Sequence, residues 1–107
     1  MNKDRLNQLL GMLDDDPKDS FLRYAVAKEY ENGQLNQEAL EEYLTIKKND
    51  PDYVGMYYHL AKLYEKLENA DLAIQTYTEG INVAKRLSDF HALSELNSAK
   101  MNLEMEM

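Results

Sequence analysis

Apolar positions recur along this chain with a helical period from one end almost to the other. Near the start, Leu6, Leu9, Leu10 and Leu13 fall at i, i+3, i+4 and i+7, which predicts an amphipathic helix over about residues 3–14. Leu22, Val26, Ala27 and Tyr30 fall at i, i+4, i+5 and i+8 and predict a second helix from about Pro17 to Asn32. A third runs from about Leu35 to Lys48, with Leu40, Tyr43, Leu44 and Lys47 marking its turns. The punctuation fits these spans. Pro17 suits a first helical turn, where its missing N–H costs nothing, and Asp16 is placed to cap the free N–H groups there. Asn32-Gly33 offers a left-handed stop, and Asp50 avoids the α region because a proline follows it. Towards the end, Ser88-Asp89 reads as a cap. Ala92, Leu93, Leu96, Ala99 and Leu103 then form the apolar stripe of a helix over about 88–104.

The same pattern occurs twice. Displaced by 34 residues, the segment 16–49 falls on 50–83. Nine pairs are then identical: Asp16/Asp50, Pro17/Pro51, Tyr24/Tyr58, Ala27/Ala61, Lys28/Lys62, Tyr30/Tyr64, Glu31/Glu65, Ala39/Ala73 and Tyr43/Tyr77. A fixed period of this length marks a stacked repeat, here a helix–turn–helix unit opened by Asp-Pro. Ala27, Ala39, Ala61 and Ala73 are small where two helices must approach, whereas Tyr30, Tyr43, Tyr64 and Tyr77 fill the space between helices.

These residues resemble the tetratricopeptide repeat family. The family pattern W-x2-L-G-x2-Y, A-x3-F, P is matched in the second unit by Tyr57-x2-Leu60-Ala61-x2-Tyr64 and Ala73-x3-Tyr77. The first unit matches with Arg23-x2-Val26-Ala27-x2-Tyr30, Ala39-x3-Tyr43 and Pro51. Arg23 stands where a large apolar residue is usual, which suggests a wetter edge. Lys85 stands where the second unit's proline would be, so the helix holding Tyr77 is expected to run on to about residue 87. The resemblance implies an all-α, right-handed α-α superhelix of stacked antiparallel helix pairs, about six helices in one domain over 1–107. A helix over 3–14 caps the N-terminal side and one over 88–104 the C-terminal side, covering the apolar faces that a stack leaves open.

Composition narrows the function. The chain has 107 residues, 44% of them hydrophobic and 30% charged, as expected of a folding domain. A net charge of −8 argues against a nucleic-acid partner, which needs a basic face. There is no cysteine, hence no disulfide, thiolate metal site or Cys nucleophile. No apolar run is long enough to span a membrane and the first residues lack a signal-peptide core, so the expected location is cytoplasmic. The histidines are His59 and His91, and only His91 has a carboxylate, Glu95, one turn on. Metal sites need three or four ligands. The Asp14–Asp16 cluster lacks the spacing and glycine of a calcium loop. With no phosphate-binding glycine loop or nucleophile motif either, neither catalysis nor a cofactor is expected.

A binding surface remains. By resemblance, the first helix of each pair lines a concave face. Here it carries Phe21, Tyr24, Lys28, Glu31 and Asn32, then Gly55, Tyr58, His59, Lys62, Glu65 and Lys66. Tyr24-Lys28-Glu31 is spaced i, i+4, i+7 on one helix face, and Tyr58-Lys62-Glu65 repeats it. One reading is a peptide ladder. Its sites are Tyr24, Lys28, Glu31, Tyr58, His59, Lys62 and Glu65, with tyrosines supplying contact area and lysines attracting an acidic group or free C-terminus. The other reading has the tyrosines packing between helices while Lys and Glu form i, i+3 surface pairs. The expected function is a protein–protein interaction module that binds a peptide or partner helix. The alternative is a scaffold that self-associates through an end face as a homodimer. Met101, Met105 and Met107 in KMNLEMEM form either a frayed tail or an adaptable contact surface.

Overall fold

The computed structural model describes residues 2–107, in six helices. They are α1 (Lys3–Asp15), α2 (Ser20–Asn32), α3 (Asn36–Asn49), α4 (Gly55–Lys66), α5 (Ala70–Leu87) and α6 (Phe90–Glu106), with no strand among the described residues. The fold is all-α, as the periodicity predicts. The helices fall into two compact units, one ending at Tyr53 and holding α1–α3, the other spanning Val54–Met107 and holding α4–α6. No helix among the described residues is long and apolar enough to cross a membrane.

The helix ends depart from the sequence reading in three places. Asp16-Pro17 does not begin α2. The Asp19 N–H donates to the Asp16 carbonyl at 3.1 Å, so Pro17 occupies the second position of a β-turn, and α2 starts only at Ser20. The cap is Asp19, whose carboxylate accepts from the Leu22 N–H at 3.0 Å. The second Asp-Pro makes the same turn, Tyr53 N–H to Asp50 carbonyl at 3.0 Å. Proline fixes φ for that turn position, and the non-helical Asp16 and Asp50 before it (φ −142° and −146°) end the preceding helices.

The left-handed stop does not fall on Gly33, which has φ −94°. It falls on Gln34 (φ 61°), with equivalents at Glu68 (φ 58°) and Ser88 (φ 56°). In each case the next N–H reaches back to a carbonyl five residues earlier at 2.9 Å: Leu35 to Tyr30, Asn69 to Tyr64 and Asp89 to Ala84. Finally, KMNLEMEM is not a frayed tail, because α6 continues through Glu106.

In the first unit, Leu6 and Leu13 of α1 are buried with Val26 of α2, and Leu9, Leu10, Leu22 and Tyr30 pack around them. Ala27, Ala39, Tyr43 and Ile46 are also buried, each 1% exposed or less. At the edge, Arg23 is held by two partners. Its guanidinium bridges α2 to α3 through Glu42 at 3.0 Å and closes the turn by donating to the Pro17 carbonyl at 2.9 Å.

In the second unit, α5 packs against both α4 and α6. Its buried face includes Gly80, where a Cβ would lie 2.6 Å from the Tyr57 Cβ of α4 and 3.1 Å from Leu96 Cδ1 of α6. Glycine lets both neighbours approach the α5 backbone directly. Leu96, Ala99 and Leu103 form the buried face of α6.

Candidate functional site

The Tyr–Lys–Glu ladder occurs once in each unit, and a residue from the following helix completes it. On α2, Tyr24 is half-buried and braced by two rings, Tyr43 at 6.4 Å and Tyr53 at 6.0 Å between centroids. Lys28 Nζ lies 4.0 Å from Glu31 Oε2. Glu31 is itself buried and accepts a hydrogen bond from the Tyr43 hydroxyl of α3. On α4, the Tyr58 ring stands edge-on to His59 at 5.4 Å. Lys62 Nζ sits 5.7 Å from the Tyr58 centroid and 3.6 Å from Glu65 Oε2. Glu65 accepts from the Tyr77 hydroxyl of α5.

The chemistry of each ladder follows from these contacts. Tyr43 and Tyr77 are fully buried, and a buried hydroxyl without a partner would cost about 1–3 kcal/mol. Each finds one in the glutamate twelve residues before it. Burial, then the hydrogen bond to the carboxylate, pushes the tyrosine proton well above its ordinary range. Each carboxylate in turn pairs with its lysine, and in the second unit the ammonium also lies beside the Tyr58 ring. The outcome is a fixed face of one aromatic ring and one partly exposed ammonium, the Lys28 side chain 39% and the Lys62 side chain 44% exposed. Glu31 and Glu65 therefore act from beneath this face. The sequence reading placed the glutamates on the surface and the tyrosines in the core as separate features. The signal linking them was available, since Glu and Tyr recur together at the same spacing in both repeats.

Sequence reasoning also missed Glu29. This buried carboxylate accepts from the Asn2 backbone N–H at 2.8 Å and lies 3.7 Å from Arg5 Nε, which ties the start of α1 to α2. It neutralises free N–H groups at that helix start. Among the described residues no group of three or more His, Asp and Glu side chains gathers as a metal site would require.

The buried tyrosines make alkaline stability a direct measurement. A tyrosine whose proton is held more tightly in the fold contributes stability that is complete below its unfolded value of 10.0 and drains as pH rises past it. Tyr43 and Tyr77 together should cost roughly 3 kcal/mol of unfolding free energy by about pH 11. Urea denaturation followed by circular dichroism from about pH 8 to 11 checks this. Stability that stays flat across that range would show that the two hydroxyls are not locked.

No sequence-family profile matches the chain, and no curated protein does. Solved structures do. A crystal structure of a tetratricopeptide repeat domain protein from Salinibacter ruber is 46% identical over 80% of this chain and 96% of that one, with a TM-score of 0.77. A solution structure of a tetratricopeptide repeat domain protein from the same organism is 47% identical over 83% of this chain and 90% of that one, with a TM-score of 0.80. A solution structure of a protein from Bordetella parapertussis shares the fold, with a TM-score of 0.82 at 23% identity over 94% of this chain and 88% of that one.

Proposed function

The chain belongs to the tetratricopeptide repeat family, and from that premise we propose that it is a non-catalytic binding module, each unit offering its own ladder face, on α2 in the first and on α4 in the second, to a peptide or partner helix. The observation that carries this reading is the bracing of those faces. Tyr24 is held by Tyr43 and Tyr53, and Tyr58 by His59 and Lys62, so both rings are ordered before a ligand arrives. Pre-ordered aromatic rings offer contact area at little entropic cost. Lys28 and Lys62 supply orientation by attracting an acidic side chain or a C-terminal carboxylate. Exposed charge pairs contribute only about 0–1 kcal/mol each, so the tyrosines carry most of the affinity. His59 lies at the edge of the same face as a further hydrogen-bonding group. The reading has a protein as partner and places the chain in the cytoplasm.

The test uses partner capture from the native lysate with paired variants. Lys28→Ala with Lys62→Ala should leave the melting temperature nearly unchanged and weaken capture, more so at low salt, where the wild-type attraction is least screened. Tyr24→Ala with Tyr58→Ala should weaken capture further. Capture that survives both double variants intact would remove the ladders from consideration.

A further inference from the structure

The first unit leaves an open cleft of about 450 Å³ between the start of α2 and the end of α3. Lys18, Ser20 and Arg23 line it from one side and Ile46, Asn49 and Asp50 from the other. The repeat shows that the fold does not require it. Displaced by 34 residues, Arg23, Ile46, Asn49 and Asp50 fall on Tyr57, Gly80, Val83 and Ala84. All four are buried, and Tyr57 meets Gly80 directly, so the second unit fills this place with apolar packing. The first unit keeps it open and polar. Polar groups at a position that the same scaffold can fill with apolar ones point to a use outside packing. The two sides carry opposite charges. Lys18 is exposed and pairs with no carboxylate among the described residues. Of the five guanidinium N–H groups of Arg23, Glu42 and the Pro17 carbonyl engage two, and Glu42 balances the charge. On the other side Asp50 accepts from the Ser20 hydroxyl at 2.7 Å through Oδ2, which leaves Oδ1 to accept from a ligand.

We propose that this cleft binds a short peptide with both termini free, its carboxylate held by Lys18 and its ammonium by Asp50. The volume lies within the roughly 300–1,000 Å³ of small-molecule sites, more than a lone ion needs. The remaining Arg23 N–H groups add donors on the carboxylate's side. Buried Ile46 and the Pro17 ring give apolar contact to small side chains between the two charged ends. A ligand of one sign fits worse, because an anion meets Asp50 and a cation meets Lys18. The cleft shares no residue with the α2 and α4 ladders, so it is tested separately from them.

The probes are trialanine, N-acetyl-trialanine and trialanine amide, titrated into the full chain and followed by backbone amide NMR. Trialanine should bind saturably and one-to-one and shift the amide resonances of Lys18, Asn49 and Asp50. Each blocked peptide should bind about tenfold or more weakly, the loss expected for one charge-assisted hydrogen bond. Two variants assign the ends. Asp50→Asn should weaken trialanine about tenfold and leave the N-acetylated peptide unchanged, whereas Lys18→Gln should do the same with the amide unchanged. Both should melt like wild type, because Lys18 is exposed and a carboxamide at position 50 can still accept from Ser20. Matching each variant to one blocked end separates contact with the ligand from a general effect on folding. The proposal fails if trialanine does not bind saturably, or if either blocked peptide binds as tightly as the free one. It also fails if either variant weakens the free peptide and its matched blocked peptide alike.

Discussion

Truncation after Leu87 should unfold the second unit or drive it into association. Helix α6 packs along α5, with Leu96 1%, Ala99 6% and Leu103 8% exposed. Burying a leucine side chain contributes about 1.5–3 kcal/mol, so losing Leu96 and Leu103 removes roughly 3–6 kcal/mol before the uncovered face of α5 is counted. A domain of this size has about 5–15 kcal/mol in total. The expected result is a melting temperature lower by about 15–30 °C, with higher-mass species in sedimentation as the exposed α5 face finds other apolar surface. A truncated chain that stays monomeric and melts like the full one would mean that α6 contributes no cover.

The second large effect is expected at Gly80. In an exposed helix, Gly→Ala stabilises by roughly 0.5–1 kcal/mol. Here the sign should reverse. The new Cβ would lie 2.6 Å from the Tyr57 Cβ, and neither atom can swing aside because each is fixed to its own backbone. Helices α4 and α5 would have to separate, which overpacking data place at about 1–3 kcal/mol net. The contact also predicts which second change relieves it. Tyr57→Ala keeps the Cβ and the clash, whereas Tyr57→Gly removes both. A double-mutant cycle by urea denaturation should therefore show favourable coupling of Gly80→Ala with Tyr57→Gly and little with Tyr57→Ala. Gly80→Ala at or above wild-type stability would overturn the close-packed geometry.

Gly80 also shows where reading the chain stops. It is a single glycine inside a strongly periodic helix, and nothing beside it in sequence distinguishes a tolerated glycine from a required one. The requirement comes from Tyr57 and Leu96, 23 residues before and 16 after. Arg23 is similar. Against the repeat pattern it reads as a polar residue at an apolar position, and only Glu42 and the Pro17 carbonyl show that it bridges two helices. The Asp-Pro pairs are legible as punctuation, and Asp50 ends α3 as the proline after it predicts, but neither proline enters the helix that follows. Proline suits both a first helical turn and the second position of a β-turn, and both prolines take the turn, α2 with Asp19 as its cap and α4 without a side-chain cap.

The sequence by itself determined the helices, the 34-residue repeat and the family resemblance. Amphipathic period is a local property, repeated identities are visible without coordinates, and short turns leave few ways to arrange consecutive helices. Only the tertiary structure decided which polar groups go inside. Glu29 is buried because the Asn2 N–H, 27 residues away, comes to meet it. Glu31 and Glu65 lie beneath the ladders because Tyr43 and Tyr77 arrive from the next helix with hydroxyls that need an acceptor. A carboxylate can leave water only where a donor replaces it, and that donor comes from a part of the chain the local pattern does not reach.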